Sequence, residues 1–496
     1  MPEAISIARK EPTAAQQYYL WPAQQQECKQ FDDFLWTDLA HVVMLLEQNT
    51  ISESTGRKLL PVLQELRDLG IDRLHIDPSK ESLLFQVEAF LSKRLGDNVA
   101  GSLHTARSRI DQRATVGRMF YRALFLQVMD RIHDMQENLI TAAIRHSGTV
   151  IPYYTHMQQA QPGNLGHYFM AFASKFQEDL ERCRDAFNRV NRNPLGTVGR
   201  SGTGLRIDRE RTTELLGFDE SIQNSLLGRD ADYAADMMAA LSFVMYHLND
   251  LATDLHIWST NEFGFVQLPE SYSATSSIFP QKRNPVTLEV IKFAAGPSTA
   301  WFSSTMATFR GEGTGDHKVH GSPYQLDSAL DTTSNMLILA GKIIGALEIK
   351  ETRIKQVLAD SWSTTNNLAD SLMQNHGLSI RQAHKVVARL VRKCKDNEIR
   401  RKDITSELLS ESSFEVLGQD VDMTHEDLHL ALDPESFVQT RVSAGGVGPL
   451  EVKRLIESGE EMLFENRQWV QRRREKMAKA QATLDDAIDE ILNGMQ

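Results

Sequence analysis

Apolar positions along this chain recur at helical spacing. Between residues 112 and 147, Phe120, Leu124, Val128, Ile132, Met135 and Leu139 follow one another at steps of three and four. That period places them on one face of an amphipathic helix of about ten turns. Segments of the same kind are predicted at 165–190, 231–262, 286–309 and 326–347. Gly296-Pro297 interrupts the 286–309 segment, so a kink or break is expected there. Strand-like alternation is scarce. The pattern predicts an all-α protein built on an elongated central bundle.

The punctuation between these segments suggests three parts. Residues 1–112 carry shorter helical patterns, such as Leu84, Val87 and Leu91, and read as an N-terminal helical domain. Residues 113–360 form the long-helix bundle. From 361 to 496 the helices shorten and charge rises, which reads as a small C-terminal helical domain ending in a basic helix near 472–479. Two glycine-rich stretches, 191–209 and 310–325, read as loops.

Composition narrows the class. With 496 residues, the chain has room for two or three domains. A net charge of -12 argues against generic nucleic-acid binding, although a few cations in one cleft still suit an anionic substrate. Cys28, Cys183 and Cys394 are far apart, with no metal-ligand spacing, so neither a disulfide framework nor a metal site is expected. There is no signal-peptide pattern and no 18-residue apolar window, hence no membrane contact and a cytoplasmic location are expected.

The densest chemistry lies at 270–285, which reads Glu-Ser-Tyr-Ser-Ala-Thr-Ser-Ser-Ile-Phe-Pro-Gln-Lys-Arg-Asn-Pro. Pro280 and Pro285 forbid both a helix and a central strand. A loop is left that carries Ser276, Ser277, Lys282 and Asn284 into a helix starting near Pro285. A serine, an ammonium and an amide on one loop can take a proton from a carbon beside a carboxylate and hold the charge that develops. Two further segments precede long helices. In 101–112, His104, Thr105, Arg107, Ser108 and Arg109 crowd together, reading equally as a helix cap with solvated arginines or as a carboxylate-binding surface. In 152–162, Thr155, His156, Gln158 and Gln161 lie between Pro152 and Pro162. They read as a polar cluster presented on a loop.

The 275–285 segment resembles the signature of the fumarase/aspartase superfamily, G-S-S-x-M-P-x-K-x-N-P, with Thr275 in place of Gly and Phe279 in place of Met. The other two segments resemble L-H-T-G-R-S-R-N-D-Q and P-G-Y-T-H-L-Q-x-A-Q-P of its argininosuccinate lyase branch, and the likeness runs from about Asp38 to about Val447. The resemblance implies a three-domain helical subunit, four of which assemble through a twenty-helix core. It implies sites shared by three chains, a dicarboxylate substrate, and no metal or organic cofactor. It assigns Ser276 as general base, Lys282 and Asn284 as holders of the aci-carboxylate, and His156 with Thr155 as the group that positions a carboxylate or protonates the leaving nitrogen. His104, Ser108, Arg109, Gln161, Ser277, Tyr324 and Gln325 would bind substrate.

The departures are one-sided. Ile110 replaces the Asn that follows the motif arginine, Tyr19-Leu-Trp-Pro-Ala replaces W-G-G-R-F, and Tyr324-Gln-Leu-Asp-Ser328 lacks the lysine of Q-E-D-K-E. Residues serving the fumarate half are kept, whereas those serving the amine half are changed. Three readings follow: a lyase for an N-substituted aspartate other than argininosuccinate, a true argininosuccinate lyase, or a silent crystallin-like relative.

Overall fold

The computed structural model describes residues 13–14, 18, 21–74, 76–77, 80–310 and 317–494, with backbone alone for 21–22 and 317–324. Its centre is a set of long helices: α1 (Arg109–Arg145), α2 (Leu165–Val190), α3 (Tyr233–Trp258), α4 (Val286–Ser298), α5 (Trp301–Thr308), α6 (His317–Ala346) and α7 (Pro449–Asn493). At 37 residues α1 spans about 55 Å. The predicted stripe faces inward. Val128, Ile132, Met135 and Leu139 are buried with Phe169, Phe176 and Leu180 of α2 and Leu241, Val244 and Leu248 of α3, while Phe120 and Leu124 pack at the margin. Each such side chain removed from water contributes about 1.5–3 kcal/mol.

The break expected in 286–309 is present, since α4 ends one residue after Pro297 and α5 begins at Trp301. Two expectations are corrected. The 310–325 stretch is not loop throughout, because helical backbone begins at His317 and takes in Gly321 and Pro323. The 152–162 segment is not a loop but the body of an antiparallel hairpin, β1 (Val150–Thr155) with β2 (Gln158–Asn164). Tyr153, Tyr154 and Thr155 of β1 are strand formers, Gln158-Gln-Ala-Gln-Pro162 of β2 is not, and tertiary packing decides the conformation.

Two other cores flank the bundle. In the N-terminal one, Leu35 and Leu39 of the helix Phe31–Glu47 meet Leu59, Leu63, Val87 and Leu91, together with Phe218, Leu484 and Ile488. The other is built within 368–432. The 45-residue α7 lies along the bundle through Val452, Leu463 and Val470, and ends in the N-terminal core. Among the described residues no helix is long and apolar enough to cross a membrane.

Candidate active site

The segment after the helix-breaking Pro280 folds back on the one before it. Ala274–Thr275 pairs antiparallel with Arg283–Asn284, so residues 276–282 form a closed loop. The Lys282 N–H donates to the Phe279 carbonyl at 3.0 Å, closing a turn with Pro280 at its second position. Arg283 pairs with Glu270 at 2.7 Å, and the Thr287 hydroxyl donates to the Tyr272 carbonyl at 2.8 Å, tying down the base of the loop.

Inside that loop the Ser276 hydroxyl oxygen accepts the N–H groups of Ile278 at 3.2 Å and Phe279 at 3.0 Å. Two converging donors stabilise negative charge on that oxygen and lower the cost of losing its proton. Ser277 is exposed beside it, and the apolar tip, Ile278 and Phe279, is 76% and 52% exposed. Lys282 and Asn284 face a cleft of about 930 Å³ that also takes in His256, Glu262 and Lys350, but not Ser276.

His156 stands at the tip of the β1–β2 hairpin. The two-residue turn is His156-Met157, with φ of 54° and 59°. A turn with both central residues in the left-handed region ordinarily uses Asn-Gly, and side chains with a Cβ cost about 1–2 kcal/mol each there. The hairpin is held from below. The Tyr153 hydroxyl donates to the Asn164 carbonyl at 2.9 Å and lies 2.9 Å from His167 Nδ1, and the Tyr154 ring packs on Phe263 at 5.4 Å between centroids. Thr155, His156, Gln158 and Gln161 are all exposed along the outer end of the hairpin.

The 104–109 segment resolves into structural and accessible parts. Ser108 caps α1 in a reciprocal box. Its hydroxyl accepts the Asp111 N–H at 3.3 Å, and Asp111 accepts the Ser108 N–H at 2.8 Å. The same hydroxyl donates to the Val198 carbonyl at 3.0 Å, while the second carboxylate oxygen of Asp111 takes the N–H groups of Gly196 and Val198. The glycine-rich 194–204 loop is thus fastened to the start of α1. Arg107 turns inward to a fully buried ion pair with Asp38 at 2.6 Å. Arg109 points outward, with Glu81 at 3.0 Å and its guanidinium 5.9 Å from the Phe85 ring centre. Burial, with Arg107 and Arg109 nearby, pushes the His104 imidazole down to about 4.

Sequence reasoning overlooked Asp111, although Ser108-x-x-Asp111 ahead of an apolar run is a readable capping signature. It also overlooked Ala106, whose φ is 60°. Of the residues toward the far carboxylate or amine, Gln325 is exposed, and the Ser304 hydroxyl reaches its side-chain oxygen at 3.5 Å. The Tyr324 side chain, and Tyr19 and Leu20, lie outside the described residues. No hydrogen bond or ion pair among the described residues joins the 104–109, 155–161 and 276–284 segments within one subunit.

Residues 20–297 match the Lyase family, and 362–439 match the C-terminal domain of argininosuccinate lyase. The chain belongs to the argininosuccinate lyase branch of the fumarase/aspartase superfamily. It is 31% identical over 430 residues to argininosuccinate lyase of Methanococcus maripaludis, covering 86% of this chain and 88% of that one. It is 33% identical to argininosuccinate lyase of Methanothermobacter thermautotrophicus, over 86% and 92% of the two chains. The crystal structure of EDDS lyase in complex with formate superposes with a TM-score of 0.85 at 29% identity, covering 99% of both chains. The protein is therefore a carbon–nitrogen lyase with the argininosuccinate lyase fold. The argininosuccinate lyase C-terminal match falls on the compact core built from Leu368 to Leu432, apart from the long α7.

Proposed function

We propose that this enzyme eliminates fumarate from an N-substituted aspartate whose amine half differs from that of argininosuccinate, with Ser276 as the base. The observation that carries the assignment is the pair of backbone N–H groups on the Ser276 oxygen. They stabilise the alkoxide that takes the β-carbon proton. The C–H electrons form the new C=C bond, the C–N bond breaks, and the nitrogen gains a proton. Lys282 and Asn284, on the same loop, hold the aci-carboxylate that develops, each such donor worth about 3 kcal/mol of barrier. His156 with Thr155 positions a carboxylate or protonates the departing amine. Arg109, His104, Ser277, Gln161, Tyr324 and Gln325 bind the rest of the substrate, and Ser108 acts there through the cap it forms.

A tetramer completes the site. Among the described residues no hydrogen bond or ion pair joins the three motif segments within one subunit, and the bundle leaves Phe243 and Tyr246 of α3, Val290 and Phe293 of α4, and Phe302 and Met306 of α5 exposed. Phe293 is 83% exposed. An apolar face of this extent on long helices suits assembly with further copies. The proposed form is a cytoplasmic homotetramer whose sites draw on three chains.

Support for an amine other than arginine comes from Ile110 beside Arg109, since a pocket that exchanges a polar contact for an apolar one discriminates poorly for its old ligand. A variant of EDDS lyase is known with bound fumarate, in a fold matching this one at TM-score 0.84. The 31–33% identity to argininosuccinate lyases favours a second reading, argininosuccinate itself as substrate. Fumarate absorbance after adding argininosuccinate decides between them. Slow or no release supports the first reading; rapid release, absent in Ser276→Ala, establishes the second.

A further inference from the structure

A second cleft of about 430 Å³, lined by no residue of the signature loop, lies where the end of α1, the start of β1, the helix Glu351–Asp360 and the small C-terminal core meet. Its volume is within the range of small-molecule sites. Three cations, Arg145, Lys355 and Arg401, and three acids, Glu351, Asp433 and Glu435, line it. The formal charges cancel, but they are not paired off. Lys355 and Glu435 approach only to 3.8 Å, with both side chains 69% exposed. Among the described residues no carboxylate forms an ion pair with Arg145 or Arg401. The Arg401 guanidinium instead donates to the carbonyls of Leu432, Leu358 and Ala359. Asp433 is occupied at 2.7 Å by the Ser436 N–H at the start of the helix Pro434–Gln439. Among the described residues Glu351 has only a long contact of 3.4 Å from the Thr149 hydroxyl. Val150 and Leu358 supply an apolar wall.

We infer that this cleft binds a free α-amino acid. Its carboxylate would lie toward Arg145 and Arg401, and its ammonium toward Glu351 and Glu435. A dicarboxylate such as fumarate would meet two or three unneutralised acids, and a diamine the unneutralised cations. The neutral zwitterion offers one group of each sign to a lining that carries both.

The position gives such a ligand a route to the catalytic machinery. Val150 opens β1, and Thr155 closes it beside His156, about 16 Å away along the strand. Glu351–Asp360 and Pro434–Gln439 both pack on that hairpin. Occupying the cleft clamps these elements to the base of β1 and biases the hairpin that presents His156.

The test is calorimetric titration of the full-length protein with the twenty common α-amino acids, with succinate and ethylenediamine as controls. At least one amino acid is expected to bind at one site per chain, and neither control to compete with it. Arg145→Gln and Glu351→Gln, both at exposed positions, should each weaken that binding at least tenfold while leaving the circular-dichroism melt unchanged. Lys282→Met should leave it intact, and hydrogen exchange at 150–164 should slow on binding. Binding by no amino acid, binding indifferent to both cleft variants, or binding lost only in Lys282→Met overturns the inference. None of these results bears on whether Ser276 is the base, which the fumarate assay reads separately.

Discussion

Arg107 and Asp38 form an ion pair at 2.6 Å with both side chains shut off from water, joining the start of α1 to the helix Phe31–Glu47. Asp38 also accepts from Gln112 at 2.7 Å. Arg107 therefore anchors the motif, and Arg109, two residues on, is the guanidinium left at the surface. Removing one member of such a pair strands a buried charge. Arg107→Gln or Asp38→Asn should destabilise the fold by about 3–5 kcal/mol. A fall in the chemical-denaturation midpoint reads this directly, and an unchanged midpoint would show that the pair is not an anchor.

Ala106 sits at φ 60°, at the position where the motif this segment resembles has glycine. Ala106→Gly should raise stability by about 1 kcal/mol, because glycine adopts this backbone region without the steric penalty of a Cβ. Thermal melting checks the direction. A lower melting temperature would mean that the methyl group's contacts outweigh the backbone strain.

His156 owes its position to the left-handed turn it shares with Met157. Met157→Gly should be tolerated, whereas Met157→Val should lower turnover roughly tenfold, since β-branching is least compatible with positive φ. The readout is kcat at saturating substrate. Equal rates in both variants would show that the turn does not set the imidazole's position.

Acid should destabilise the protein through its buried imidazoles. Burial lowers His133 to about 4, with nearby Asp130 pulling the other way and Arg467, Arg184 and Arg474 adding to the fall. His104 is lowered to a similar value. A folded value below the unfolded one, about 6.5, means that the unfolded chain binds more protons between pH 4 and 6.5. The stability from keeping these rings neutral is fully present above about 6.5 and declines as pH falls toward 4. The slope of melting temperature against pH across that window should be shallower in His133→Gln than in wild type. Parallel slopes would remove His133 as a cause.

The bundle is legible in the sequence because its longest stripe, Phe120, Leu124, Val128, Ile132, Met135 and Leu139, repeats over more than five turns, and one long helix face has one reading. The β1–β2 hairpin is not, because His156-Met157 occupies the turn where Asn-Gly would announce it. The early start of α6 is hidden by Gly321 and Pro323, which read locally as breakers but lie in helical backbone. The extent of α7 is hidden because nothing local to 449–493 tells a helix of a small domain from one that lies along the bundle. In the site, residue types and spacing identify Ser276, Lys282 and Asn284 together. They cannot distinguish the inward Arg107 from the outward Arg109, because both choices satisfy the same motif and only Asp38, far away in sequence, selects one.

Shared sites make a further demand. Mixing His156→Ala with Ser276→Ala subunits, each inactive alone, should restore part of the activity, because some sites then receive both intact segments. No recovery after verified subunit exchange would place a complete site within one chain.

The most direct measurement is fumarate consumption, followed by ultraviolet absorbance, when the enzyme is given fumarate and a panel of primary amines including ethylenediamine and amino acids. Wild type should consume fumarate with at least one amine, and Ser276→Ala should lose that rate by roughly 10²–10⁴-fold while keeping the same oligomeric state. Full activity in Ser276→Ala would contradict the serine base.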